Sequence, residues 1–295
     1  MDVLFFNGER VLSQGKSVSD HYAGISFDDR GLQYGDGIFE TLRIANGAIP
    51  MWAFHQERLS KAELALKLPL ADFFSHWSLF LKQHLKDIES GYAKLVITRG
   101  EGPRGYKIPS EPALNWWLKV GDLPSSYKIK QTTPFSLTLC QHPISRQPKL
   151  AGLKHLNRLD QVMARSEWGE SNEFDEGVMF NIDGDVTECT MSNIFWLKNG
   201  QLHTPDLSQE GIDGCVRRWL IARAQQSLQP VVVRQQTKLD ELIAADAVFL
   251  TNSLMGIQAV SQIDGQEIAQ SPLVEKLAED FALQFATPDN STSDF

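Results

Sequence analysis

Three Asn-Gly pairs, Asn7-Gly8, Asn46-Gly47 and Asn199-Gly200, each follow a short run of strand-forming residues. Both residue types tolerate the left-handed backbone that a tight reversal between strands requires. The runs they close, residues 3–6, 38–44 and 194–197, are therefore expected to be strands. Residues 94–99, 114–120, 128–131, 137–141 and 177–181 carry the same signal. Helical spacing appears in Phe54, Leu59, Ala62 and Leu66, and again in Phe73, Trp77, Leu81 and Leu85. The first set predicts a helix over 53–68 and the second one over 72–89. Further helices are expected at 155–168, 214–227 and 272–285. Strands and helices do not alternate regularly, which favours an α+β fold over a doubly wound sheet.

A chain of 295 residues is long enough for two domains. The segment 121–128, with a proline and two serines, reads as a linker between a domain at 1–120 and another at 129–286. The polar stretch 287–295 is expected to fray. The net charge of -9 disfavours nucleic acid and anionic lipid as partners. No stretch approaches the roughly 20 apolar residues of a membrane span. The apolar run at residues 3–6 is too short for a signal peptide, and the three cysteines show no pairing pattern. These features lead to the expectation of a cytoplasmic protein with reduced thiols. There is no H-E-x-x-H pair, no zinc-ligand spacing and no nucleotide P-loop, so no metal site is expected.

Chemistry concentrates in a few segments. Lys154 opens the predicted helix at 155–168, where the positive end of the peptide dipoles would lower its proton affinity. A nucleophilic or Schiff-base lysine needs that property. Glu188 is a carboxylate in the run Thr187-Glu188-Cys189-Thr190-Met191-Ser192-Asn193. The Gly-rich turn Gly211-Ile212-Asp213-Gly214 enters a helix, a natural place for a phosphate.

The segment from Lys149 to Leu159 resembles the Schiff-base lysine region of the fold-type IV, class IV aminotransferase-like pyridoxal phosphate enzymes. Other segments match that family in the same chain order. They are Asp28 to Thr41, His55-Gln56-Glu57-Arg58-Leu59, Thr98 to Tyr106, the Glu188 run, the Gly211 turn and Phe249 to Ser253. The resemblance implies a two-domain fold like that of D-amino acid aminotransferase, with a smaller N-terminal α/β sandwich and a larger C-terminal barrel-like domain. It implies pyridoxal 5'-phosphate as cofactor, a small-molecule substrate and a homodimer.

By the same resemblance, Lys154 carries the cofactor and acts as base, and Glu188 pairs with the ring nitrogen. Arg58, Ile212, Asp213, Asn252 and Ser253 hold the phosphate, with Thr251 a further choice beside the last two. Tyr34, Arg104, Tyr106 and Arg99 face the substrate. Within the family the Lys154-to-Asp160 run is most similar to the lyase branch, which implies 4-amino-4-deoxychorismate as substrate and release of 4-aminobenzoate and pyruvate. The alternatives are a branched-chain or D-amino-acid aminotransferase of the same fold, or a cofactor-binding protein without turnover. Glu40 departs from the lyase pattern, in which threonine can stand at that place, and leaves room for the transaminase.

Overall fold

A computed structural model describes residues 3–11, 25–124, 133–169, 173–226 and 230–286. The chain forms two compact units. The first comprises Met1–Lys128, Lys154–Asn157 and Gln284–Phe295, and the second Ile129–Leu153 and Arg158–Leu283.

The first unit holds a five-stranded antiparallel sheet in the order β2-β1-β5-β4-β3. Its strands are β1 (Val3–Phe6), β2 (Glu9–Val11), β3 (Gly37–Ala45), β4 (Ser90–Thr98) and β5 (Asn115–Gly121). The alternation along β3 and β4 sends Leu42, Ile44, Ala93, Leu95 and Ile97 to one buried face. Helices α2 (Trp52–Leu66) and α3 (Ala71–His84) cover that face. Phe73, Trp77 and Phe80 of α3 pack edge-on against Trp116 of β5, and Phe80 against Phe5 of β1. This is the expected α/β sandwich. A short helix, α1 (Arg30–Tyr34), precedes β3. It is pinned by Asp29, whose carboxylate accepts from the backbone of Gly31 and Leu32, from Thr98 and from Asn115.

The second unit is built on a curled nine-stranded sheet in the order β11-β10-β9-β12-β13-β6-β7-β8, with β14 on β13. These are β6 (Phe135–Leu139), β7 (Glu176–Phe180), β8 (Val186–Cys189), β9 (Asn193–Lys198), β10 (Gln201–Pro205), β11 (Val232–Arg234), β12 (Ala247–Asn252), β13 (Gly256–Ile263) and β14 (Gln266–Glu267). The inner face packs Leu137, Val178, Val186, Ile194, Trp196, Val248 and Val260 around Leu242 of α6 (Leu239–Ile243). On the other face Phe195 stacks on Phe249 at 5.2 Å. Trp219 of α5 (Cys215–Gln225) meets Phe281 of α7 (Pro272–Ala286) edge-on. The remaining helix is α4 (Leu159–Arg165).

The Asn-Gly turns form as expected. Asn7, Asn46 and Asn199 have φ of 46°, 50° and 51°, and each is followed by a glycine at positive φ. Asp264-Gly265, at 49° and 76°, makes a fourth such turn between β13 and β14. Other expectations need correction. The helix at 155–168 is only α4, because residues 154–157 are extended. The helix at 72–89 stops at His84. Gly121 belongs to β5 rather than a linker, and residues 125–128, the strand at 128–131 and the tail at 287–295 lie outside the described residues. Among the described residues no helix is long and apolar enough to cross a membrane.

Cys140, Cys189 and Cys215 are all buried and unpaired with one another. Burial, reinforced by Glu167 and Glu176, pushes the Cys140 thiol up to about 12. The thiolate is the reactive form. A thiol reagent is therefore expected to label none of the 3 cysteines in the folded protein and all of them after unfolding, as counted by mass spectrometry.

Candidate active site

Lys154 sits where the chain returns to the first unit and pairs with the start of β3. The Phe39 N–H donates to the Lys154 carbonyl at 2.9 Å, and the Leu156 N–H donates to the Gly37 carbonyl at 3.0 Å. Ile38 and His155 form the intervening bridge. Gly37 is required here, since a Cβ would lie 2.3 Å from the Ile97 carbonyl oxygen and 2.8 Å from Leu156. This pairing corrects the helix-dipole argument. Helix α4 starts five positions beyond Lys154 and has 7 residues. The amine is instead set over an aromatic ring, with Nζ 4.3 Å from the Phe39 centroid. Lys94 lies on the same ring at 5.6 Å. Phe39 thus supplies an apolar wall beside the amine.

On the opposite, helix-covered face of β3, Glu40 is a carboxylate amid apolar neighbours. Helix α2 answers it. Arg58 donates from Nε to Oε1 at 2.7 Å and from Nη2 to Oε2 at 2.5 Å, while His55 Nδ1 lies 2.8 Å from Oε2. All three residues are buried. Burial alone would raise the Glu40 pKa, but Arg58 and His55 outweigh it and hold the carboxyl well below the usual range. The stabilisation from this group is therefore present above the ordinary glutamate pKa and is lost only as pH falls through the much lower folded value. Glu40→Ala would strand a buried guanidinium. A loss of about 3–5 kcal/mol in urea unfolding is the expected result.

Tyr34 ends α1, and its ring meets that of Tyr106 edge-on at 5.3 Å. Tyr106 and Arg104 are exposed on the loop after β4. Arg99 differs from expectation. Its guanidinium donates to both carboxylate oxygens of Asp36 at 2.7 and 2.9 Å and to the carbonyls of Lys67 and Leu66. It is 2% exposed. A side chain so committed ties the end of α2 to the turn before β3 and has no reach toward a substrate.

In the second unit Glu188 is 3% exposed near the end of β8. Its Oε2 accepts the Ile212 N–H at 2.8 Å, and its Oε1 accepts from Gln161 of α4 at 3.4 Å. The segment leading to Lys154 runs beside the Gly211 turn. Gly152 donates to the Gly211 carbonyl at 2.9 Å, and Asp213 donates to the Gly152 carbonyl at 3.1 Å. The N–H groups of Ile212 and Asp213, expected to hold a phosphate, are thus engaged within the protein. The Asp213 carboxylate is held by Arg217 at 2.7 Å. Asn252 is also committed, its Oδ1 accepting from the backbone of Leu254 and Met255 in a turn. These are corrections to the expected phosphate set: partners remote in sequence take the Ile212 and Asp213 N–H groups, and a local turn takes the Asn252 side chain.

The start of α5 remains suited to an anion. Its N-cap, Gly214, provides no side-chain cap. A Cβ on Gly214 would lie 2.1 Å from Asn193 Oδ1, which accepts the Gly214 N–H at 3.1 Å. Asn193 also donates to the Ile212 carbonyl at 2.8 Å. Thr251 stands directly opposite Asn193 in the β12–β9 ladder, so their side chains share a face. The Thr251 hydroxyl is buried and has no hydrogen-bond partner. A buried carboxylate, an uncapped helix start and an orphaned hydroxyl fit a group with a ring nitrogen and a phosphate. Asn193, Gln161 and Phe39 escaped the sequence reading. Asn193 and Phe39 lie inside segments singled out for other residues, while Gln161 gave no signal.

Comparison with known proteins gives the class. The profile of the class IV amino-transferases matches residues 37–263, and the chain belongs to that family. The family depends on pyridoxal phosphate. An aminodeoxychorismate lyase of Vibrio harveyi is 35% identical over 82% of this chain and 89% of its own length. The crystal structure of the 4-amino-4-deoxychorismate lyase of Pseudomonas aeruginosa superposes with a TM-score of 0.84 at 34% identity, covering 94% of this chain and 97% of that one. A putative branched-chain-amino-acid aminotransferase of Methanocaldococcus jannaschii is 29% identical over 92% of this chain and 95% of its own.

Proposed function

We propose that this chain is a pyridoxal phosphate-dependent lyase that converts 4-amino-4-deoxychorismate to 4-aminobenzoate and pyruvate. The observation that carries the reading is its likeness, over most of its length, to proteins of that name. When bound, the cofactor would supply an electron sink for the substrate carbon that bears nitrogen.

The protein's residues do the rest. Lys154 holds the cofactor through Nζ. When not carrying the cofactor, the same nitrogen would take the proton from the carbon bearing the substrate nitrogen. The two roles fall at different times, so one lysine serves both. Glu188 keeps a proton on the ring nitrogen, and the Ile212 N–H and Gln161 hold its carboxylate in place. The C–O bond at the adjacent carbon would break with its electron pair on oxygen, so that enolpyruvate departs and becomes pyruvate on protonation at its methylene carbon. The ring left behind is aromatic, which makes that step strongly downhill.

The first turn of α5, the Thr251 hydroxyl and Ser253 bind the phosphate. Arg58 joins them. Glu40 already balances its charge, so Arg58 contributes direction more than Coulombic attraction. Arg104 and Tyr106 hold the substrate carboxylates, with Tyr34 supporting Tyr106. Leu159, Val162 and Met163 form an exposed apolar face on α4. That face supports a homodimer, which light scattering would test.

A second reading, an aminotransferase, is favoured by Glu40 and by full-length relatives of that name. The deciding experiment supplies aminodeoxychorismate, made in situ from chorismate and glutamine by its synthase, and follows 4-aminobenzoate. Protein-dependent product with matching pyruvate supports the lyase. No product from cofactor-loaded protein overturns it and turns the search to amino-acid donors.

A further inference from the structure

The loop bearing Arg104 and Tyr106 follows β4, and the buried side chain of Arg30 reaches its backbone. Arg30, 4% exposed, donates from Nη1 to the Gly105 carbonyl at 3.0 Å and to the Lys107 carbonyl at 3.4 Å. From Nη2 it donates to the Tyr106 carbonyl at 3.3 Å. Its Nε donates to Asp36 Oδ2 at 2.9 Å, the same oxygen that Arg99 Nε reaches at 2.7 Å. Its guanidinium carbon lies 5.1 Å from the centre of the Tyr34 ring, which in turn packs on Tyr106.

The backbone is shaped around this side chain. A Cβ on Gly102 would lie 2.8 Å from Arg30 Cδ, so the stem of Arg30 passes where only glycine leaves room. The Arg30 N–H donates to the Gly100 carbonyl, and the Gly102 N–H to the Asp28 carbonyl. One planar fork therefore satisfies three consecutive carbonyls on the loop, while Asp36 and Arg99 anchor it to the sheet and to α2. A lysine has no fork and cannot reproduce that pattern.

We propose that Arg30 is a positioning residue that sets the conformation of residues 102–107 and so the affinity for the substrate's carboxylates. The inference rests on the substrate role given above to Arg104 and Tyr106. Arg30 itself touches carbonyls and Asp36, and takes no part in proton transfer.

The test uses Arg30→Lys and Gly102→Ala, the second displacing the Arg30 stem while leaving its chemistry intact. Far-UV circular dichroism and the cofactor's visible band confirm that each variant is folded and loaded. Trypsin cleavage after Arg104 and Lys107 then reports the loop directly, without reference to activity. Both variants are expected to be cut faster than wild type. For aminodeoxychorismate, KM is expected to rise about tenfold with kcat within about twofold, the pattern of lost positioning. Unchanged cleavage and unchanged KM in folded Arg30→Lys would overturn the proposal. So would a fall in kcat at constant KM. Arg104→Ala separates this from the underlying reading. If it leaves KM unchanged while Arg30→Lys still accelerates cleavage, the latch stands but the assigned substrate role of the loop fails, and with it the claim on affinity.

Discussion

Lys154→Ala is expected to give a folded protein without the visible absorbance of lysine-bound pyridoxal and with turnover reduced by on the order of 10⁴-fold. The folding part follows from the structure. The bonds that place residue 154 on β3 are made by its carbonyl and by the Leu156 N–H, both of which alanine keeps. The side chain lies over the Phe39 ring and is half-buried, so its removal costs little packing. Loss of the band and of 4-aminobenzoate release should therefore occur together, with little change in the unfolding midpoint. A fully active Lys154→Ala protein would remove the proposed mechanism altogether.

Glu188→Gln is expected to retain cofactor and lose about 10²-fold in kcat, equivalent to about 2.7 kcal/mol. The carboxylate now accepts on both oxygens, from the Ile212 N–H and from Gln161. An amide keeps one acceptor and must turn its NH₂ toward one of these donors. It also lacks the negative charge that would hold a proton on the ring nitrogen. Single-turnover absorbance at several pH values reads the effect on proton removal. Turnover equal to wild type would place the acid on another residue. Gln161→Leu offers a milder version, since it removes only the 3.4 Å contact and leaves the charge.

The local rules held where the relevant neighbours lie within a few residues. Asn-Gly pairs turn because two adjacent residues accept positive φ. The apolar faces of α2 and α3 follow from spacing along one helix. The Lys154 and Glu188 segments were recognisable because their residue types occur in contiguous runs.

The setting of those residues is another matter. Lys154 lacks the helix dipole expected of it because Gly37 and Phe39, remote in sequence, pair with its segment and keep it extended. Arg99 has the right charge for a substrate carboxylate, but Asp36 and two carbonyls at the end of α2 claim it. Ile212 and Asp213 occupy a phosphate-like turn, yet their N–H groups meet Glu188 and Gly152. Glu40 read as a departure from a pattern, whereas the structure makes it the buried partner of Arg58 and His55. Sequence alone determined the Asn-Gly turns, the amphipathic faces and the family of chemistry. Tertiary contacts decided which charged and polar groups remain available, because a buried donor or acceptor must find a partner and takes the nearest one in space.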